Sequence, residues 1–185
     1  MSSFRDIVIV TVVSLLIILP IRFFLIQPFF VEGSSMHPSY EDGDYLLVDQ
    51  ISYDFSDPKR GDVIVFTPAH DEVKVYIKRV IGLPNDKIIL EDDTVLVVNS
   101  LTTESGKILK ESYIEGTTKD PSEGAEIILL GEDEYFVMGD NRSNSSDSRS
   151  WGVLSRSRII GKVLVRLWPI SDFYFFKKPS YGGLE

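Results

Sequence analysis

The sequence predicts a mainly β protein, in which antiparallel sheets form a barrel-like core after one N-terminal transmembrane helix. Short apolar runs separated by Gly, Pro, Asn or Asp are typical of strands and turns, and they fill most of the chain. No long amphipathic helical repeat competes with them. Residues 1–31, in contrast, carry only Arg5, Asp6 and Arg22 as charged side chains. The 185-residue chain therefore divides into an apolar head, 1–31, and an acidic body, 32–185.

The apolar head has the length and composition of a membrane anchor. From Ile7 to Gln27 it covers 21 residues, or roughly 31 Å as a helix, which is about one hydrocarbon thickness. A cleaved signal peptide would have a shorter apolar core followed by small residues, whereas large residues follow here. We therefore expect a retained, single-pass anchor. Arg5 and the α-amine outweigh Asp6 in the N-terminal flank, and this slight positive bias places the acidic body on the extracytoplasmic side of the cell membrane.

Strands dominate the prediction for the acidic body. Val73, Val75 and Ile77 alternate with more polar neighbours, which is typical of a strand with two different faces. The other predicted strands are Asp44–Val48, Asp62–Phe66, Lys87–Leu90, Thr94–Val98, Ala125–Leu130, Tyr135–Met138 and Ile159–Leu167. The polar stretch 99–124 contains several glycines and is predicted to be a less regular insertion within the body.

Composition excludes several classes of protein. A formal net charge of −9 without a long Lys/Arg run argues against a nucleic-acid partner, and an acidic surface favours a monomer. The absence of cysteine removes thiol nucleophiles and zinc–thiolate sites. The two histidines, His37 and His70, lack metal-ligand spacing, and there is no glycine-rich loop of the phosphate- or dinucleotide-binding type. We therefore expect neither a metal nor a cofactor.

Three polar segments could carry chemistry. Gly33–Ser39 follows the head, Lys78 stands in an otherwise apolar strand, and Met138–Gly152 is a loop rich in Asn, Asp, Ser and Arg. Taken alone, a serine before a turn is most often a capping or turn residue, and a strand lysine is most often solvated. Loop side chains of this kind can hydrogen-bond to one another. The three segments become informative when they are considered together.

Together these segments resemble the bacterial type I signal peptidases, which are membrane-anchored serine proteases with a Ser–Lys dyad. The match covers the anchor, the Ser35-Met36 pair, the Arg60–Phe66 strand, the Lys78–Gly82 strand and the Gly139–Gly152 loop. The order and spacing of these features also agree. The stretch 99–124 matches poorly, as expected for a part that varies in size in this family.

The resemblance implies a role for five residues. Ser35 corresponds to the nucleophile and Lys78 to its general base, while Ser145 corresponds to a serine that orients the lysine amine. Asp147 and Arg149 correspond to a charged pair that holds the loop, although such pairs also occur without a function. The chemistry is consistent, because a lysine acts as a base near neutral pH only when burial lowers the pKa of its ammonium group.

Two positions depart from the pattern of many relatives. Where some relatives carry a serine that donates to the oxyanion, this chain has Gly33, so the resemblance implies that the backbone N–H of Ser35 is the main donor. Ser34 is not expected to replace the missing hydroxyl. Asn85 stands where many relatives have glycine in the turn after Pro84, and asparagine tolerates the left-handed conformation that such a turn requires.

The substrate implied by the resemblance is an exported preprotein that still carries its signal peptide. This family cleaves after small residues, and shallow apolar pockets would exclude larger ones. The candidate substrate-binding residues are Phe29, Val31, Met36, Tyr76 and Ile77. The substrate is expected to add as an extended strand between Phe30–Gly33 and Val75–Lys78, close to the lipid bilayer.

Two alternatives to a general signal peptidase remain open from the motifs. One is a Ser–Lys processing protease that is dedicated to a single exported partner. The other is an inactive module that binds signal-peptide ends, although such a module has no need to keep Ser35, Lys78 and Ser145 together.

An aromatic and basic segment near the C-terminus goes beyond the family pattern. It contains Trp168, Phe173–Phe176, Lys177 and Lys178, and we hypothesise that it rests on the outer lipid surface. The alternative is that it forms a final strand of the protein core.

Overall fold

The computed structural model describes residues 2–20, 26–91, 93–102, 106–118 and 124–184. Its helices are α1 (Ser2–Pro20), α2 (Ser52–Phe55) and α3 (Ser148–Trp151), with 3-10 turns at Arg142–Asn144, Arg156–Arg158 and Ile170–Asp172. Its strands are β1 (Ile26–Phe30), β2 (Tyr45–Asp49), β3 (Val63–Phe66), β4 (Tyr76–Gly82), β5 (Lys87–Glu91), β6 (Thr94–Val98), β7 (Lys107–Ile108), β8 (Glu126–Leu129), β9 (Glu134–Met138), β10 (Leu154–Ser155), β11 (Ile159–Trp168) and β12 (Tyr174–Phe175). The prediction of a mainly β protein is therefore confirmed.

The larger of two sheets forms the frame of the body. Its strands pair antiparallel in the order β1–β2–β11–β3–β4–β9–β10, and β12 adds to β11. Register shifts interrupt the pairing of β11 with β2 and β3, and that of β4 with β9. Irregularities of this kind bend strands and increase their twist, so the sheet is curled rather than flat.

The smaller sheet packs against one end of the larger one. Its strand order is β7–β6–β5–β8, and all pairs are antiparallel. β6 has the predicted bounds, and its alternate residues Val95 and Val97 are fully buried. They belong to one core cluster with Ile81 of β4 and Phe136 of β9. This cluster joins the two sheets and fixes the end of β4.

β4 departs from the predicted alternation. The strand begins at Tyr76 rather than Val73, whose side chain is 92% exposed, and it continues to Gly82. Residues 79–81 are buried one after another because both faces of β4 are covered, since Ile81 and Val80 pack into two different core clusters. The alternation over 73–78 therefore marks the approach to β4 and only the beginning of the strand.

The N-terminal helix ends earlier than the predicted Gln27. α1 ends at Pro20, and Ile26–Phe30 forms β1, which pairs with β2 at the edge of the larger sheet. Pro28 is compatible with this position because proline is tolerated on edge strands. None of the helices in the described ranges combines the length and the hydropathy needed to cross a membrane. Arg22 lies outside the described residues.

Candidate active site

Ser35 lies in the turn that connects β1 and β2. The turn is tied at its base by the Val31 N–H, which donates to the Asp44 carbonyl oxygen at 2.9 Å. Gly33 has a φ of +89°, a left-handed conformation that favours glycine, and its N–H donates to Asp42 Oδ1 at 2.6 Å. Backbone conformation thus accounts for the glycine at this position.

Lys78 of β4 faces Ser35 across the curled sheet. Its Nζ lies 2.7 Å from Ser35 Oγ and donates to the Ile77 carbonyl oxygen at 2.9 Å. Lys78 is only 4% exposed. A side chain on a paired strand is placed more precisely than one on a loop, so the sheet holds the amine against the hydroxyl.

Burial changes the acid–base character of Lys78. Removing the ammonium group from water lowers the pKa of Lys78 from 10.5 to about 8. The charges of Asp147 and Asp140 raise this pKa and that of Arg149 lowers it, but burial has the largest effect. Lys78 therefore becomes neutral slightly above neutral pH, and a neutral amine can accept the proton of a serine hydroxyl.

The segment Gly139–Gly152, hereafter loop 139–152, closes the site on one side. Asp147 is fully buried, and its carboxylate accepts two hydrogen bonds from the Arg149 guanidinium at 2.8 Å each and one from the Gly139 N–H at 2.9 Å. Burial alone would raise the pKa of Asp147, but these donors outweigh it and lower that pKa. The charged pair suggested by the sequence is thus formed.

Ser145 lacks the contact that the resemblance implies. Among the described residues its buried Oγ has no hydrogen-bond partner, the Lys78 amine included. The hydroxyl lies near Asp147, whose pKa it helps to lower, without the geometry of a hydrogen bond. A Cβ added at Gly139 would meet Ser145 Oγ at 2.2 Å. The structure therefore packs Ser145 against the loop backbone and does not show it orienting the lysine.

Two asparagines of loop 139–152 hold the turn that carries Ser35. The Asn141 N–H donates to the Ser35 carbonyl oxygen at 3.1 Å, and its side chain donates to the Ser34 carbonyl oxygen at 3.2 Å. The Asn144 side chain donates to Ser34 Oγ at 2.8 Å. The only sequence signal for these two residues is the polarity of the loop, and it does not single them out.

A groove of about 510 Å³ leads to Ser35 and Lys78. Four candidate substrate-binding residues line it, namely Phe29, Val31, Tyr76 and Ile77. Met36 is placed differently, because its side chain is fully buried in the core cluster beneath the turn. Met36 therefore anchors the turn and is not a wall of the groove.

Two strand edges border the groove. β1 is the outermost strand of the larger sheet, and β4 pairs with β9 only from Arg79 onward. Tyr76–Lys78 consequently lies beyond the end of β9. A peptide in extended conformation can add to such edges through backbone hydrogen bonds. The groove thus suits an extended peptide beside the Ser35 hydroxyl.

The histidines have partners other than metal ligands. His37 Nδ1 lies 2.5 Å from Glu115 Oε2, and the His70 ring lies 5.8 Å from the Tyr76 ring. Within the described ranges, no group of three or more histidine, aspartate or glutamate side chains could hold a metal ion.

The fold and the site together define a class of enzyme. A serine hydroxyl beside a buried amine of lowered pKa is the pair that a serine peptidase with a lysine base requires. The groove presents a peptide to that pair. These features are those of a serine peptidase of the Ser–Lys type.

Comparison with known proteins gives the family. The profile of the family described as "Signal peptidase, peptidase S26" matches residues 4–168. "Probable signal peptidase I-1" of Synechocystis sp. is 39% identical over 86% of this chain and 80% of its own, and "Signal peptidase IB" of Staphylococcus aureus is 34% identical over 91% of each. A solved signal peptidase I from Enterococcus faecalis is 26% identical, with a TM-score of 0.47 over 58% of this chain and 97% of its own. The chain belongs to the signal peptidase family, peptidase S26.

Proposed function

We propose that this protein is a membrane-bound serine endopeptidase that removes signal peptides from exported preproteins by cleaving after small residues. The observation that carries the proposal is the 2.7 Å contact between Lys78 Nζ and Ser35 Oγ, made by a lysine whose pKa is lowered to about 8. The substrate class is supported by the relatives, which are named as signal peptidases.

Proton transfer between two atoms drives the proposed reaction. Neutral Lys78 Nζ accepts the proton of Ser35 as Oγ bonds to the scissile carbonyl carbon, which gives a tetrahedral oxyanion and an ammonium group. The ammonium returns this proton to the leaving nitrogen, the C–N bond breaks, and the acyl group stays on Ser35. Water that transfers a proton to the same amine then hydrolyses the ester and restores the hydroxyl.

The remaining site residues support these steps in the proposal. The Ser35 N–H is the main oxyanion donor, because Gly33 has no side chain that could donate. Asp147 and Arg149 hold loop 139–152, and Ser145 packs against Gly139 within that loop.

The side chains that line the groove would account for the selection of substrates with small residues. Phe29, Val31, Tyr76 and Ile77 supply apolar surface on either side of an extended peptide. A shallow apolar pocket admits a small side chain and excludes a large one by steric contact. The substrate would therefore present small residues next to the scissile bond.

Membrane attachment is supported by the surface of α1. Every residue from Phe4 to Leu16 is exposed, and most of these side chains are apolar. A helix that is apolar all round is favourable in hydrocarbon and unfavourable in water. We propose α1 as part of the single-pass anchor of a monomer whose strands lie on the extracytoplasmic side.

Exposed aromatic side chains extend the proposed lipid contact. Phe30, Tyr45 and Trp168 are cross-strand neighbours on β1, β2 and β11, and they are 60%, 40% and 58% exposed. In the C-terminal segment, Phe175 of β12 is also exposed, whereas Phe176 packs against the core. Aromatic side chains are favourable at the membrane interface.

Fluorescence quenching tests this lipid contact. The chain has two tryptophans, so Trp151→Phe leaves Trp168 as the single fluorophore. We expect brominated phosphatidylcholine in proteoliposomes of the full chain to quench Trp168 more than the same lipid added to detergent-solubilised protein in excess detergent. Equal quenching in both conditions would contradict the contact.

Cleavage of a preprotein with an Ala-X-Ala site tests the function. Wild type is expected to release the mature protein, and Ser35→Ala and Lys78→Ala are each expected to lose at least about 10³-fold in kcat while remaining folded. Near-wild-type turnover by either variant would refute the mechanism. Binding of the signal peptide by wild type without cleavage would indicate the inactive module.

A panel of unrelated preproteins addresses the range of substrates. A general signal peptidase processes several of them at similar kcat/KM. Cleavage of a single exported partner alone would identify the dedicated processing protease.

A further inference from the structure

The segment Glu111–Thr118, hereafter the strap, runs beside loop 139–152. The Glu115 N–H donates to the Asp140 carbonyl oxygen at 2.8 Å, and the Arg142 N–H donates to the Glu115 carbonyl oxygen at 2.7 Å. Glu115 and Asn141 thereby form a parallel bridge. The strap belongs to the stretch 99–124, for which the family resemblance implies no role.

Arg142 is the strongest link between the strap and the loop. Its side chain is fully buried, and its guanidinium makes two hydrogen bonds to the Glu111 carboxylate, one of them at 3.0 Å. It also donates to Thr118 Oγ1 at 2.8 Å and to the Gly139 carbonyl oxygen at 3.0 Å. A buried cation requires partners of this kind, because its charge cannot be solvated. Two residues of the strap therefore fix the position of Arg142.

Thr118 makes a second link between the strap and loop 139–152, and this link involves Arg149. Its carbonyl oxygen accepts from Arg149 Nη1 at 2.8 Å, and Arg149 Nη2 donates to the Arg142 carbonyl oxygen at 2.6 Å. Arg149 in turn pairs with Asp147, and both charges act on the pKa of Lys78. The strap thus contacts the charged groups that tune the base.

Loop 139–152 also contacts the turn that carries Ser35. The Asn141 N–H donates to the Ser35 carbonyl oxygen, and a Cβ added at Gly139 would lie 2.4 Å from that oxygen. Residues 139–142 therefore lie between the strap and Ser35 with little space on either side. Arg142 is thus linked to the backbone of Ser35 through its neighbour Asn141.

We infer that Glu111 and Thr118 are positioning residues for the Ser35–Lys78 pair, acting through Arg142 and loop 139–152. The inference rests on the proposed function, because it assigns these residues an effect on that reaction. The strap does not line the groove, so its effect falls on the alignment of the reacting atoms rather than on peptide binding.

The test compares full-length variants on the Ala-X-Ala preprotein, with kcat and KM measured separately. Glu111→Gln removes the charge that faces Arg142, and Thr118→Val removes one acceptor of its guanidinium at nearly constant volume. Glu111→Asp keeps the charge on a shorter side chain. The matched controls are Glu132→Gln and Thr117→Val, which change exposed residues of the same types.

We expect Glu111→Gln to lower kcat about ten- to hundredfold, because a small displacement of reacting groups is costly. KM should stay within about twofold, since the binding surface is unchanged. Glu111→Asp should recover part of the loss, and Thr118→Val should show a smaller loss of the same kind. Amide exchange at Asn141 and Arg142 should be faster in the Glu111 and Thr118 variants, and both controls should match wild type.

A purely structural role for Glu111 predicts a different pattern. It would lower the Tm of Glu111→Gln and leave the kcat of the folded protein within twofold of wild type well below that Tm, and this result would overturn the inference. If Glu111→Gln does not fold, the same criterion applied to Thr118→Val decides. Loss of kcat in Glu132→Gln or Thr117→Val equal to that in the Glu111 and Thr118 variants would also overturn it.

Failure of this inference is distinguishable from failure of the proposed function. An inactive wild type, or an active Ser35→Ala, would refute the proposed function itself. Active wild type, inactive Ser35→Ala and wild-type kcat in the strap variants would refute only the positioning role.

Discussion

Lys78 and Arg79 are neighbours on β4, but their side chains have different partners. Lys78 lies at the groove, where its amine contacts a hydroxyl and a backbone carbonyl oxygen. Arg79 lies on the other face of the strand, where Asp140 binds its guanidinium at two points, at 2.8 Å and 2.5 Å. The Tyr113 ring stacks 4.1 Å from that guanidinium. Both side chains are almost fully buried, so their partners alone distinguish them.

The difference shows how one strand holds a base and a permanent cation side by side. Burial lowers the pKa of Lys78 to about 8 because no carboxylate compensates at hydrogen-bond distance among the described residues. Burial also opposes the charge of Arg79, but the hydrogen bonds and charge of Asp140 outweigh it and raise the pKa of Arg79. Lys78 is thereby available for proton transfer, whereas Arg79 remains a paired cation.

The largest effect is expected when Lys78 is replaced by a permanently charged group like that of Arg79. In Lys78→Arg the base becomes a guanidinium, which cannot be deprotonated in a protein. We expect kcat on the Ala-X-Ala preprotein to fall by at least about 10³-fold, with the protein still folded. Lys87→Arg, on the smaller sheet, serves as the control and should retain wild-type kcat. Activity of Lys78→Arg above one tenth of wild type would show that proton transfer to Lys78 is not required.

The next largest effect is expected on stability, when the carboxylate of Asp140 that pairs with Arg79 is removed. Asp140→Asn leaves Arg79 buried without a counter-charge, and breaking a buried pair in this way costs about 3–5 kcal/mol. Urea unfolding of the full chain in detergent measures this loss. The control is Glu72→Gln, because the Glu72 carboxylate is exposed and lies 3.6 Å from Arg158, so the stability of this variant should be close to wild type. Equal stability of the two variants would mean that Asp140 does not compensate the buried charge.

Replacing Lys78 with an uncharged residue is expected to have a smaller effect, and this effect should be an increase in stability. Between about pH 8 and pH 10.5 the unfolded chain binds the Lys78 proton and the folded chain does not, so wild-type stability rises with pH there. Below pH 8 both states are protonated, and the folded state carries the full cost of the buried charge. Lys78→Met should therefore be more stable than wild type by about 1–3 kcal/mol at pH 7, once the lost hydrogen bonds are subtracted.

The gain in Lys78→Met should shrink as the pH rises from 8 towards 10.5. Urea unfolding at several pH values measures it. Ile77→Met is the matched control, since it changes a neighbouring side chain without altering charge. A gain that is independent of pH would assign the effect to packing rather than to the buried proton.

The sequence indicates one of these two regions much better than the other. Ser35 and Lys78 are found because their local motifs resemble a known family, and the 2.7 Å contact agrees with that pairing. The left-handed turn at Asn85 is also expected, and its φ is +65°. The signal for Ser35 and Lys78 is the order and spacing of several short motifs, whereas that for Asn85 lies within its own turn.

The features that the sequence does not indicate depend on distant contacts. β1 lies within the apolar head and shares its composition, so only its pairing with β2 shows that it is a strand. Glu111 and Arg142 are 31 residues apart, and neither has a local pattern that names the other. Met36 adjoins the nucleophile in sequence, yet the turn directs its side chain into the core.

The smallest expected effect tests whether the charges of loop 139–152 change the pKa of Lys78. The kcat/KM of wild type should rise with pH around pH 8, because Lys78 must be neutral to act as a base. Asp147 raises the pKa of Lys78 and Arg149 lowers it. The rising limb should therefore move to lower pH in Asp147→Asn and to higher pH in Arg149→Gln, whereas Glu132→Gln should leave it unchanged. Shifts of the same sign in both loop variants would point to a general disturbance of the loop, whereas opposite shifts would identify direct electrostatic control of the base.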